Sequence, residues 1–541
     1  MKTISSRNWD FRAARHLLNR AGFGVPRERA AELAAMDPEQ AVAALVDYES
    51  QPESGARPDY LIPQTKALEI RRGAKAAASP VERQRLVKEL NQQERAAVEA
   101  LKAWWFRRMF TTQRPLEEKL TLFWHGHFAT SAQKVNSSEA NYDLNEILRR
   151  NAAGNAKTLT RLAGYSPAML VYLDNYRNVK GDPNENWARE LMELFTIGPG
   201  HYTEDDIKES ARAFTGWGIS PKGKGGRAGK DRHDDGVKQF MGRTGNFTGD
   251  DIIDAIFEQD ATAEFICAKL WTYFAGTGPD REVLGEMSSV MRANAYEIRP
   301  VLKAMFLSKA FYADDVICAQ IKGPAQFLVQ LAADLRLDPV PYDQMARLSA
   351  ALGQNLFYPP NVKGWDGGRA WINANTLLMR YNMPKALVVA ADRRDDAAND
   401  ESMMPAMKPN KEQYRERVKE FMREIPKDER QALREKLQNA DTKEARAAVF
   451  NRTVGTEIFE NRWDAGALLQ GLDFDSVESC VDALEARFLN APFDSRQRQL
   501  IGQTLKLADA DRSAPSEVSI SREAIVPVLH LLFSSAEYQL C

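Results

Sequence analysis

The chain has 541 residues with 73 Lys and Arg against 75 Asp and Glu, and its formal charge of −2 excludes a partner gripped by bulk positive charge, leaving only local basic patches. Hydrophobic residues make up 44% and charged residues 27%, the balance of an ordinary soluble protein, and the length fits two to four domains at roughly 100–200 residues each. No apolar run approaches the ~20 residues of a membrane span, so no span is expected, and no nucleic-acid partner is expected either.

Helical periodicity dominates, so the fold class is mainly α: a multi-helix core domain with long structured loops and a smaller C-terminal helical domain. Helices are expected over residues 11–20, 28–48 and 81–110, with Pro80 suiting the first turn of the third and Pro115 opening the next. The stretch 391–410 loses apolar periodicity and gathers Asp, Asn, Met and Pro, so it reads as a linker between a core domain (1–390) and a C-terminal domain (411–541). Residues 411–451 alternate charge at helical spacing, as exposed helices do. Residues 298–312 align without gaps to residues 525–539, either a duplicated helical unit or two similar amphipathic helices. Met1 to Asp10 has no apolar leader core, so the chain as written is cytoplasmic; export requires a leader upstream of this start or another route. Cys267, Cys318, Cys480 and Cys541 form no CxxC pair or disulfide framework.

Four segments carry candidate chemistry. In residues 120–130, His125 and His127 flank Gly126 beside Trp124 and Phe128. On a continuous helix they point roughly 200° apart, and His127 then joins Leu116, Leu120 and Phe123 on the core side. Only a break at Gly126 lets both imidazoles reach one Zn²⁺ or other divalent transition metal. In residues 182–198, Asp182 as cap, Pro183 in the first turn and Gly198 as stop delimit a helix, with Trp187, Leu191, Leu194 and Phe195 facing the core. Asn186, Glu190 and Glu193 form a polar stripe that suits a ligand set or a general base, or else a solvated face with Glu185 and Arg189 paired.

Residues 223–251 are rich in Gly and basic residues, yet a phosphate-binding loop fails because Lys224 and Asp231 stand where Gly and Ser or Thr are needed. A calcium loop fails because His233 and Gly242 occupy ligand positions. His233 and Asp234 remain, with Lys238, as a donor and acceptor cluster. Residues 357–375 place Trp365 and Trp371 among Lys363, Asp366 and Arg369, a rigid loop suited to a carbohydrate or other ring-bearing ligand or pinned by buried indoles.

The blocks at residues 15–24, 123–131, 183–198, 202–217 and 359–380 together resemble the bacterial domain-of-unknown-function family 1800, and residues 535–539 resemble its C-terminal part. The resemblance implies no agreed reaction. It implies that His125, His127, Asn184, Glu185, Asn186, Lys363, Gly364 and Trp365 belong to family motifs, that relatives often carry a leader peptide, and that relatives are often encoded beside a sulfatase-like protein of family 1501, which makes that protein a candidate partner. Some relatives have His where this chain has Phe195.

Two functional readings follow. One is a metal-assisted hydrolase of a polymeric or glycan substrate, with His125, His127 and His233 as metal ligands, Glu190 and Glu193 as catalytic carboxylates, and Asn184, Glu185, Asn186, Asp234, Lys363, Trp365 and Asp366 as ligand-binding residues. The other is a non-catalytic helical assembly or binding protein that serves the sulfatase-like partner, the same motifs acting as structural clamps. Either way, blocks separated by up to about 240 residues are expected to converge on one pocket.

Overall fold

A computed structural model describes residues 1–390, 476–509 and 522–541, apart from 25–26, 54, 221–222, 228–229 and 338–339. The expected linker at 391–410 and the charged helices at 411–451 lie outside the described residues. Helices dominate, and the strands form two small antiparallel hairpins among the described residues. No described helix is long and apolar enough to cross a membrane.

In chain order the helices are α1 (Phe11–Ala21), α2 (Arg27–Ala34), α3 (Pro38–Val46), α4 (Gln64–Ala76), α5 (Pro80–Thr111), α6 (Pro115–His127), α7 (Ala132–Val135), α8 (Ser138–Arg150), α9 (Ala156–Tyr165) and α10 (Pro167–Tyr172). Next come α11 (Asn186–Glu190), continued by a π-helical turn (Leu191–Thr196), and α12 (Glu204–Ala213). Strands β1 (Trp217–Ile219) and β2 (Gly225–Arg227) pair, as do β3 (Lys238–Phe240) and β4 (Arg243–Gly245). Then follow α13 (Gly249–Phe257), α14 (Asp260–Ala275), α15 (Arg281–Ala293), α16 (Ile298–Leu307), α17 (Pro324–Asp334), α18 (Tyr342–Ala351), α19 (Ala374–Ala390), α20 (Val477–Phe488), α21 (Ser495–Asp509), α22 (Arg522–Ser534) and α23 (Ala536–Gln539).

Two expected boundaries move. The single helix expected over 28–48 is α2 and α3, because Pro38 lacks the N–H an inner helical position needs and Asp37 instead caps α3 through the Glu39 N–H. The helix expected from Asp182 starts at Asn186. The Asp182 N–H donates to the Val179 carbonyl and the Asn184 N–H to Asn178 Oδ1, so both residues are held in a turn before the helix begins.

The chain divides into two compact units, the first comprising Met1–Gln330, Met345–Trp371 and Leu540–Cys541, the second Leu331–Gln344 and Ile372–Gln539. In the first, α6 lies against α1, α3, α5 and α8, and every residue from Leu116 to His127 except Gly126 is buried. A helix buried on all sides must satisfy its polar side chains internally, which here means Glu117, Glu118, Lys119, Thr121, His125 and His127. In the second unit α19, α21 and α22 pack together, with Val528, Leu529, Leu532 and Phe533 fully buried.

The internal echo is also structural. Ser308 follows α16 and its Oγ accepts from the Phe311 N–H at 3.2 Å; Ser535 follows α22 and its Oγ accepts from the Tyr538 N–H at 3.2 Å. In each case a Ser ends one helix and starts a short second turn.

Candidate functional site

The last turn of α6 and the loop at 357–366 meet backbone to backbone. Gly364 has φ +86°, and a Cβ there would lie 2.1 Å from the Gly126 carbonyl oxygen, so only glycine allows the approach. Helix α6 runs through Gly126 to His127 without a break, so the break that a shared metal site would require is absent and the continuous-helix alternative holds. The Phe128 N–H still reaches the Trp124 carbonyl at 2.7 Å, so the helical hydrogen bonding that holds this turn outweighs the freedom glycine brings.

The two motif histidines consequently serve different neighbours. His125 Nε2 accepts from the Phe357 N–H at 3.1 Å, and its ring packs against Trp105, Phe357 and Trp365 at 5.0, 5.0 and 5.8 Å. Burial, reinforced by Arg149, pushes its pKa down to about 3, so the ring stays neutral. His127 Nε2 donates to the Phe195 carbonyl at 2.9 Å, which leaves Nδ1 as an acceptor facing Lys269 Nζ at 3.5 Å. Burial and the Lys269 charge hold His127 well below the ordinary imidazole value.

Lys269, on α14, donates to the Leu194 carbonyl of the π-helical turn at 2.8 Å. Burial first, then nearby Lys363, lowers its pKa to about 8. On the same stretch Glu190 and Glu193 are half-buried, and Glu190 is raised above the ordinary carboxyl value by burial and then by Glu193. Tyr172 faces Glu190, and Tyr202 faces Glu193. Lys363 and Asp366 form an exposed ion pair at 2.7 Å on either side of half-buried Trp365. Perturbed titratable groups beside a π-helical turn are a recurring mark of functional sites.

The Asn184–Asn186 block is a helix start. Asn184 Oδ1 accepts from the Asn186 N–H at 3.0 Å, and Arg189 bridges Glu185 and Glu204 at 3.2 and 2.8 Å. His233 and Asp234 are held elsewhere: His233 Nδ1 donates to the Thr215 carbonyl at 2.9 Å, and Asp234 takes Arg212 at 2.8 Å. The Arg212 hydrogen bonds bring the Asp234 carboxyl down to about 2. His125, His127 and His233 therefore do not converge, and among the described residues no group of three or more His, Cys, Asp and Glu side chains is placed to hold a metal ion. As arranged, the expected donor set does not fit a divalent metal. The blocks around His125, His127, the π-helical turn and Trp365 do meet, but as a packed junction with a polar face. A cleft lined by Phe240, Arg243, Phe247, Asp251 and Glu258 contains none of them.

Behind the junction lies a buried ion network that sequence reading missed. Glu118 Oε1 accepts from Arg108 Nε at 2.5 Å and Arg149 Nε at 2.7 Å, while Oε2 accepts from Trp105 Nε1 at 2.9 Å and Arg149 Nη2 at 3.1 Å. Burial would raise the Glu118 carboxyl, but the charges and hydrogen bonds of Arg149 and Arg108 hold it below the ordinary value. Lys119 is also buried, donates to Gln326 Oε1 at 2.6 Å, and is lowered by burial to about 7. The signal was present in Glu117-Glu118-Lys119 inside an apolar run, but only the burial of every face of α6 gives it meaning.

Glu117 supplies a pH test. Burial, then the Glu118 charge, raises its carboxyl to about 7 from an unfolded value near 4.5. The folded state thus binds the extra proton between these values, so stability falls as pH rises from about 4.5 to about 7 and then levels off. Glu117→Gln is expected to leave stability at pH 4 nearly unchanged and to raise it at pH 8 by roughly 1–3 kcal/mol, read from urea titrations at both values.

No curated protein and no solved structure matches this chain. The sequence model of a family described as "Protein of unknown function (DUF1800)" matches residues 16–540, nearly the whole length, and the chain belongs to that family.

Proposed function

We propose that this chain is a non-catalytic binding protein that recognises a polymeric, glycan-like ligand on the loop carrying Lys363, Trp365 and Asp366, with the histidine motif clamping that loop in place. The observation that carries the reading is the pair of clamps: the His125 ring accepts from the Phe357 backbone and packs on Trp365, while His127 ties α6 to the Phe195 carbonyl. Histidines whose Nε2 atoms are committed to backbone groups in this way serve the scaffold, and the group they present is an indole flanked by a cation and a carboxylate. Such a face stacks on a sugar ring and hydrogen-bonds its hydroxyls. The sulfatase-like partner implied by the resemblance would be the enzyme acting on the held polymer.

Hydrolysis at the same face is the second reading, favoured by the raised Glu190 carboxyl beside Glu193. The experiment joins chelation to ligand binding. EDTA dialysis is expected to leave the thermal midpoint unchanged, and His127→Ala to lower it. Trp365→Ala is expected to abolish signals on an array of neutral oligosaccharides while the protein stays folded, with a lowered midpoint because the indole packs on His125. A stoichiometric metal that His127→Ala removes would overturn the clamp reading, and turnover lost in Glu190→Gln would replace binding by hydrolysis.

A further inference from the structure

The hairpin of α4 and the N-terminal half of α5 carries an excess of basic residues on regular helices. Residues 64–95 hold eight Lys and Arg against four Glu, in a chain whose net charge is −2. One of the four acids, Glu94, is buried, with Oε2 taking the Ser138 N–H at 2.7 Å and its carboxyl raised by burial. The hairpin's own core is small: Ile62, Ala67 and Leu90, with Ile70 against them. Its Lys and Arg side chains are all exposed.

The exposed residues follow a pattern. On α5, Val81, Arg85, Lys88, Gln92 and Arg95 recur at i, i+4, i+7, i+11 and i+14, a single outward stripe without an acid in it. On α4, Arg71, Arg72 and Lys75 share one exposed arc. Arg83 is used by the fold, its Nε donating to the Ala74 carbonyl at 3.3 Å, and Arg85 pairs with Glu89 at 3.3 Å. Lys66, Arg72, Lys75 and Lys88 make no ion pair or side-chain hydrogen bond among the described residues. Arg85 apart, these cations outnumber the exposed acids Glu69, Glu82 and Glu89 on the hairpin, and like charges in excess of their counter-ions repel one another and draw polyanions.

We infer that the α4–α5 hairpin is a docking arm for an anionic polysaccharide, whose separate sulfate or carboxylate groups the stripe of Arg85, Lys88 and Arg95 follows along one helix. Arginine suits such groups because its planar fork matches an oxyanion with two hydrogen bonds. A DNA major groove about 12 Å wide admits one helix, whereas two helices side by side measure roughly 20 Å across. A lipid surface would need large apolar groups at the tip, where the exposed apolar side chains are Val81 and alanines. The site is separate from the Trp365 loop and does not depend on the reading given for it.

The test uses the full chain and heparin as probe. Titrations in low salt are expected to show heparin binding that weakens steeply as salt rises, while neutral dextran does not bind. The combined variant Arg72→Glu, Lys75→Glu, Arg85→Glu and Lys88→Glu is expected to lose at least about tenfold in heparin affinity and to show a shallower salt dependence. Its thermal midpoint reports folding, and a second variant with Gln at the same positions gives an intermediate loss if charge is the cause. Oligosaccharide-array signals that depend on Trp365 should persist in both variants, which separates this proposal from the preceding one. Unchanged heparin affinity in a folded Glu variant, absence of heparin binding in low salt, or tighter binding to a short DNA duplex or to anionic vesicles than to heparin would overturn it.

Discussion

Glu118→Ala is expected to cost about 3–5 kcal/mol of folding stability, because it strands the buried Arg108 and Arg149 guanidiniums and the Trp105 indole N–H together. The side chain is fully buried, so water cannot take over these bonds. Glu118→Gln keeps the shape while removing the charge and should lose most of the same stability, since a neutral amide cannot compensate two cations. Urea unfolding of both variants measures the effect. The damage should also spread to the junction, because Trp105 packs edge-on to His125 at 5.0 Å. An alanine variant within about 1 kcal/mol of the parent would show the network to be dispensable.

Gly364→Ala and Gly126→Ala form a pair with opposite signs. At Gly364 an added methyl meets the Gly126 carbonyl oxygen at 2.1 Å from a backbone with φ +86°, so either the loop or the end of α6 must move. A destabilisation of roughly 2–4 kcal/mol is expected, together with loss of any binding that needs Trp365 in place. At Gly126 the added methyl finds only Trp365 Cε3 at 3.7 Å, an ordinary contact, within a helix. That variant should gain roughly 0.5–1 kcal/mol, since Gly is poorer than Ala in a helix by about this amount. Thermal midpoints of the two variants measured side by side decide the matter. A destabilised Gly126→Ala would mean that the helix does not tolerate the methyl that the packing leaves room for.

The predominance of helix was legible because helical periodicity recurs throughout, and α1, α5 and the start of α6 were legible to within a residue or two from Pro80, Pro115 and the apolar spacing. The start of α11 was not. Asp182 and Pro183 carry every local sign of a helix start, but the buried side chain of Asn178 takes the Asn184 N–H, and the contact partner is chosen by the fold. The π-helical turn over Leu191–Thr196 was likewise invisible, because a five-residue hydrogen-bond register has no composition of its own.

The sequence by itself determined family membership and helical class, because local propensity, capping residues and motif spelling are properties of short segments. Tertiary structure alone decided what the blocks do with their side chains. Spelling placed His125 and His127 two residues apart, and only the unbroken course of α6 sent one to Phe357 and Trp365 and the other to Phe195 and Lys269. Likewise Lys269, Arg108 and Arg149 look like ordinary surface cations until the helices around α6 close over them. Desolvation is the physical reason: the charge of a buried group depends on neighbours far away in sequence, and no local pattern encodes them.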